Sequence, residues 1–385
     1  MSSTQKFILF ILGVGILAFC VLIAGTLWFR WNQPLGPSLQ LAENTHDPLA
    51  TFPATFTPPP HLEPGHPSTG TPLPGATVVS GDPETVCGGP PTMMILAIGS
   101  DQRVDSYLYG LADVIRLVRV DFVQPSVTVM SFPRDLYVEI PGISDHYNIT
   151  HGKINQAYLY GNPGFGYYDG SDLGPGLLAR TLYHNFGAQP QNYVAVNMRT
   201  FVHVVDAVGG VTVTLDQTVD GRAEDQPDRK DLLFYAGTHV LNGEQALQLA
   251  RLRPYGDFDR GAAQNQILCG LHDEILSPSV VDHIPELIDA FKNNVQTDLS
   301  PAEISQLSCL LTKLEGSDIT FLNYPENFFV GTRIQDPELG YTYILETDFN
   351  VLRDYVRAFS QGTWPVSTSQ APAADGTSPA KTFCE

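Results

Sequence analysis

Residues 93–131 read MMILAIGSDQRVDSYLYGLADVIRLVRVDFVQPSVTVMS, and the reading of that stretch decides the fold. Met93 to Gly99 is a short apolar run closed by glycine, the pattern of a buried strand. Asp113 to Asp121 (DVIRLVRVD) and Val127 to Ser131 give two further strands, with Gln124-Pro125-Ser126 marking the turn between them. Downstream, helical periodicity covers Gly176–Phe186, Arg199–Val208, Gly243–Ala250, Arg260–Ile275, Pro285–Asn293, Pro301–Leu314 and Asp348–Phe359. Strands at Tyr193–Val196 and Val211–Leu215 fall between them, and short strands at Ile319–Leu322 and Tyr341–Leu345 complete the sheet. Loops are expected over the Gly- and Tyr-rich Asn155–Ser171 and the charged Gly221–Lys230. Strands and helices interleave, so the class is α/β, a central mixed β-sheet flanked by helices, over residues 92–360.

The flanks have a different composition. Phe7 to Phe29 is a run of 23 residues without a charge, long enough to cross a hydrocarbon core as a helix. It predicts an uncleaved membrane anchor with residues 1–6 in the cytoplasm and the folded domain outside the cell membrane. Residues 30–91 hold 14 of the chain's 30 prolines among Ser, Thr and Gly, which predicts a disordered extracytoplasmic linker. Residues 361–385 form a Ser/Thr/Pro-rich tail, loose unless Cys384 pins it. Four cysteines, Cys87, Cys269, Cys309 and Cys384, lie beyond the anchor and suit two disulfides in an oxidising compartment. Cys269 and Cys309 sit on expected helices while Cys87 and Cys384 bracket the domain, which suggests pairs 269–309 and 87–384.

Charge narrows the partners. The chain of 385 residues carries 41 acidic against 21 basic side chains, a net −20, which argues against nucleic acid because a phosphate backbone calls for a basic surface. Against that background Arg251, Arg253 and Arg260 fall within ten residues of one another. On an extended segment Arg251 and Arg253 leave from one side. On a helix capped by Asp257 or Asp259, Arg260 and Gln264 share a face. Fixed guanidinium donors beside a helix N-terminus suit a phosphate-rich anion; a solvated, carboxylate-paired surface is the plainer alternative. Asp101 lies just beyond the end of the first strand and Asp113 opens the second. Two carboxylates at adjoining strand ends can hold one hard cation, with substrate phosphate and water completing its shell. Pro133 stops the third strand and aims Arg134 at the same sheet end, with Asp135 beside it as an orienting or basic group. No Walker A sequence, GxSxG elbow or zinc-spaced Cys/His set occurs.

Taken in order, GSDQR, ADVIRLVRVD, SFPRDLYVEIPG, HGKINQAYLYG, VDAVGGVTV, LNGEQALQLARLR and DFDRGAAQNQ resemble the LytR-CpsA-Psr family of cell-wall glycopolymer ligases, over about half of the chain. The resemblance implies an apolar pocket for a polyprenyl-pyrophosphate lipid. It also implies transfer of the attached glycan phosphate to a peptidoglycan hydroxyl, assisted by Mg²⁺ or Mn²⁺. By position, Asp101 and Asp113 match the metal-holding acids; Arg134, Arg251, Arg253, Arg260 and Gln264 match groups that grip the pyrophosphate. Lys153 and Asn155 match the KIN motif, Lys153 as a further pyrophosphate contact, and Asp113, Arg134, Arg251 and Arg253 are the catalytic candidates. Leu111-Ala112 and Ala263 depart from the Arg-Ser and Arg the family often carries there. Leu117, Val129, Phe201, Val205 and Leu249 are candidates for an apolar tunnel, with plain core the commoner role for such residues. Two other readings remain: hydrolysis of lipid pyrophosphates at the same site, and a noncatalytic wall-binding or regulatory ectodomain.

Overall fold

The computed structural model describes residues 34–41, 84–102, 107–223, 225–226, 228–252, 257–277, 290, 295–325, 327–337, 339–363 and 381–384. The expected anchor at 7–29, the helix expected at 285–293 save Ala290, and Arg253 lie outside the described residues. Among the described residues no helix is long and apolar enough to cross a membrane.

In chain order the elements are β1 (Thr92–Ser100), β2 (Ala112–Asp121), β3 (Ser126–Phe132), β4 (Tyr137–Glu139), β5 (His151–Lys153), α1 (Ile154–Gly161) and α2 (Leu173–Phe186). They continue with β6 (Asn192–Asn197), α3 (Met198–Ala207), β7 (Val211–Leu215), β8 (Val219–Asp220), β9 (Leu233–Phe234), β10 (Gly237–Leu241), α4 (Gly243–Arg251) and α5 (Asp257–Leu276). The last are β11 (Val295–Thr297), α6 (Pro301–Leu311), β12 (Ile319–Leu322), β13 (Val330–Asp336), β14 (Gly340–Glu346), α7 (Phe349–Ser360) and β15 (Lys381–Phe383).

Seven strands form one sheet in the order β11-β6-β1-β2-β3-β12-β15. It is mixed as expected: β1 runs antiparallel to β2 and parallel to β6, and β3 runs antiparallel to β2 and parallel to β12. Alternation along β2 splits the core. Ile115 and Leu117 join Leu96, Met130 and Phe132 against α1, α2 and α7, while Val120 joins Met93, Ile95 and Phe321 against Leu310 of α6. A third cluster under α3, α4, α5 and β7 includes Val205, Val213, Leu249 and Ile267. Burial of those three apolar layers is the main drive for folding.

Four expectations are corrected by the fold. Residues 155–161 of the expected loop belong to helix α1, whose first turn is held by Gln156 Oε1 accepting the Lys153 N–H at 2.7 Å. The strand expected at 341–345 does not complete the central sheet; it lies in β14, which pairs with β13, and β7 likewise lies outside that sheet, paired with β10. Part of the expected linker is docked on the domain: Leu39 N–H donates to Asp298 and Gln40 N–H to Asp172, at 3.0 and 3.1 Å. Finally, the disulfides join Cys87 to Cys309 and Cys269 to Cys384 instead of 269 to 309 and 87 to 384. The reason is positional. Cys87 sits in a 3₁₀ turn packed on α6, and residues 381–383 pair as an edge strand with β12, which carries Cys384 to Cys269 on α5.

Candidate functional site

The site grows from the shared end of β1, β2 and β3. Ser100 is registered opposite Ala112 across a bulge, so Asp101 and Asp113 leave the same sheet end. Asp101 N–H donates to Leu111 O at 3.0 Å, and the Asp101 carboxylate accepts Leu111 N–H at 2.7 Å. Gly110, at φ +115°, closes this turn. A Cβ there would come within 2.5 Å of Ser100 Oγ and 3.3 Å of Asp101 Oδ1, so a larger residue would displace the acid.

Beyond β3, Pro133 ends the strand and a turn closes on it through Leu136 N–H, which donates to Pro133 O at 3.1 Å. That turn delivers Arg134 to Asp113 at 2.6 Å and to Asp135 at 3.3 Å. Asp135 in turn receives Lys153 Nζ at 2.7 Å. The two motifs are also tied by backbone, Asn155 N–H donating to Arg134 O at 3.3 Å and Ile154 N–H to Leu136 O at 2.8 Å. Asp113, Arg134, Asp135 and Lys153 therefore form one alternating chain of charges. The Asp135 side chain is only 6% exposed against 22% for Asp113. Burial alone would raise the Asp135 pKa, but the Lys153 hydrogen bond and the Arg134 charge hold it below the usual carboxylate value. For Arg134, burial opposes the charge, yet Asp113 and Asp135 keep its pKa above the ordinary guanidinium value. Asn155 is buried, and its side-chain oxygen has no hydrogen-bond partner among the described residues.

A cavity of about 1040 Å³ opens beside this cluster, between the sheet and α5. Asp113 and Pro133 lie in its wall, with Val213, Phe321, Phe329 and Leu345 as apolar lining. Of the expected tunnel residues Leu117, Val129, Phe201, Val205 and Leu249, none lines it; they pack in or against the cores described above. Leu117 shares a sheet face with Ile115, which does line the cavity, but lies two residues further along β2 from the end where the cavity opens.

Arg116 is the residue that sequence reading passed over. It is 4% exposed, its guanidinium donates to Gln264 Oε1 at 3.1 Å and Asn265 Oδ1 at 2.8 Å, and it stacks 5.8 Å from the Phe321 ring centroid. Within DVIRLVRVD it resembles any polar residue of an amphipathic strand, and nothing local marks it as buried.

The arginine run is placed differently from the extended segment expected. Arg251 is the last residue of α4 and exposed, with no ion pair among the described residues. Gln264 Nε2 donates to Ala250 O at 3.1 Å, so the end of α4 lies against α5. Arg260 lies in the first turn of α5, immediately before the cavity-lining Gly261 and Ala262. The structure thus joins Asp113, Arg134 and Lys153 in direct contact through Asp135, sets Asp101 at the same sheet end, and brings Gln264 to the cavity wall.

The donor set tests the metal. Asp101 and Asp113 are hard oxygen donors on neighbouring strand ends, which fits a Mg²⁺-type ion that takes one or two carboxylates and completes its shell from phosphate and water. No group of three or more His, Cys, Asp or Glu is gathered among the described residues, so no all-protein cage is formed there.

Residues 87–350 match the LytR_cpsA_psr family. A teichoic acid transferase of Oceanobacillus iheyensis, TagU, is 34% identical over 226 residues, 58% of this chain and 63% of that protein. The regulatory protein MsrR of Staphylococcus aureus is 28% identical over 235 residues, 60% of this chain and 64% of that protein. The chain therefore spans a little under two thirds of these relatives' length. The crystal structure of TagV from B. subtilis superposes with a TM-score of 0.53 at 25% identity, covering 71% of this chain and 96% of that one.

Proposed function

Because this chain belongs to the LytR_cpsA_psr family, we propose that it is a phosphotransferase moving a glycopolymer phosphate from a polyprenyl-pyrophosphate carrier to a peptidoglycan hydroxyl. TagU is named for the transfer of polyisoprenyl-linked teichoic acid to peptidoglycan, which supports that donor and acceptor. The observation carrying the reading is Arg134, clamped between Asp113 and Asp135 at a cavity with apolar lining. Phosphoryl transfer asks a protein for positioning and for neutral charge on the phosphate oxygens. Arg134 is aimed before any ligand arrives, so its donors need no reorganisation. Arg251, Arg253 and Arg260 are the further cations for the diphosphate, and the apolar lining takes the first isoprene units.

Asp101 and Asp113 would hold Mg²⁺ or Mn²⁺, which when bound neutralises charge on the diphosphate. Asp135 is a poor proton acceptor, because Lys153 and Arg134 hold its pKa below the usual carboxylate value. Asp113 is more open and lies in the cavity wall, so it takes the proton of the attacking hydroxyl. The domain works outside the cell membrane on the 7–29 anchor, a placement that two disulfides support, since they persist in oxidising compartments.

The test incubates the full-length protein in detergent with a polyprenyl-pyrophosphate glycan, Mg²⁺ and a peptidoglycan acceptor. Glycan phosphate joined to the acceptor is expected. Free phosphoglycan would replace the reading with a hydrolase, and unchanged lipid in every condition would leave a binding protein.

A further inference from the structure

The last four carbonyls of a helix have no partner inside it, and they need one from elsewhere. In α4 these belong to Gln248, Leu249, Ala250 and Arg251. Leu249 O accepts the N–H of Leu252, and Ala250 O accepts Gln264 Nε2 from α5. A glutamine side chain donates at its amide nitrogen and accepts at its amide oxygen, and a flip exchanges the two. Which end faces Ala250 is decided by its other neighbour. That neighbour is Arg116, which has five donors and no acceptor, so it takes the amide oxygen and leaves the NH₂ for the helix end.

We propose that Arg116 is a positioning residue: acting through the Gln264 carboxamide, it fixes the last turn of α4 and with it the placement of Arg251. A straight path runs from the sheet to the exposed cation, Arg116 to Gln264 to Ala250 O to the next residue. Asn265 and the Phe321 ring hold the guanidinium in place, so the donor geometry is set by the buried wall. Leu252, the C-cap of α4, is extended and ends the helix. The Gln264 carboxamide is therefore a lateral tie that holds the helix end, and the arginine it carries, to α5, beside the apolar contacts of Leu249 and Ala250.

The kinetic consequence rests on the transferase reading; the structural one does not. The experiment compares three variants of the full-length protein. Arg116→Met removes the donors at similar length. Arg116→Lys keeps a donor-only group. Gln264→Glu keeps a partner for Arg116 but presents oxygen to Ala250 O. Amide hydrogen exchange at Arg251 and Leu252, measured without any lipid, is expected to quicken about tenfold in Arg116→Met and in Gln264→Glu, the size of one ordinary net hydrogen bond, and to return near the parent rate in Arg116→Lys. In transfer assays the same two variants raise KM for the lipid donor about tenfold with kcat kept, because α4 positions rather than reacts. Gln264→Glu separates the proposal from mere packing, since its charge pair with Arg116 preserves the sheet-to-helix tie. Parent-like exchange in Gln264→Glu, or quickening spread evenly over α5 and β2, overturns the proposal. Expected exchange with no transfer by any form, the parent included, keeps it and removes the transferase reading instead.

Discussion

The two walls of the cavity are held by different means. On the sheet side, Arg134 is locked by charge, with Asp113 and Asp135 at 2.6 and 3.3 Å and Lys153 closing the chain. On the α5 side, Cys269 is bonded to Cys384 and the helix end of α4 is tied by one amide, while Arg251 stands exposed. The first wall is preorganised and should respond to pH; the second is fixed by a covalent bond and should respond to reductant. A ligand with a charged head and an apolar tail meets an ion-paired grip on one side and a covalently braced helix on the other.

The sharpest way to break this contrast is to cut the covalent tie. Cys384→Ser opens a link spanning 115 residues, and chain-entropy reasoning puts the loss on the order of 4–5 kcal/mol. Urea unfolding should show it, and dithiothreitol should add little for that bond in the variant while weakening the parent. Next in size, Arg134→Gln should lower the single-turnover transfer rate about 10²–10³-fold, the usual cost of removing one preorganised donor. The same substitution leaves Asp135 with Lys153, so the fold should persist in circular dichroism.

Smaller effects sharpen the electrostatic side. Asp135 has a folded pKa below its unfolded value of about 3.9, so the stabilisation it gives is complete above that value and drains away as pH falls through the folded one. Urea midpoints of the parent should therefore drop from pH 5 to pH 3. Lys153→Met, which removes one of the groups depressing that pKa, should drop less over the same range and start about 1–3 kcal/mol lower. An equal acid loss in both would show that the pair does not drive it. Smallest of all, Arg251→Ala should raise the donor KM about tenfold and leave the urea midpoint within about 0.5 kcal/mol, since the side chain is exposed.

Much of this was legible in the residues. The apolar runs at 93–99 and 127–131 and the DVIRLVRVD stretch are strands β1, β3 and β2, and their order set Asp101, Asp113 and Arg134 at one sheet end. Helix α1 was not legible, because seven of its eight residues are buried and no polar face remained to give a period of 3.6. Disulfide partners were not legible either, since connectivity depends on where the chain ends dock and spacing does not encode that. The cavity wall failed for a third reason: residues from both faces of β2 line it near one strand end, and period 2 does not tell where along a strand a cavity opens. Arg116 belongs to that class. The resemblance to the family named the acids and arginines but gave no hint of a guanidinium buried against the Gln264 and Asn265 amides.

Strand β15 has an effect remote from catalysis. Residues 381–383 pair antiparallel with β12 and supply the outermost row of the sheet. Without them β12 would present a bare row of N–H and C=O groups, the template on which sheets of separate molecules stitch together. A protein shortened after residue 363 would thus be prone to self-association at concentrations where the whole chain stays monodisperse, even with every candidate site residue intact.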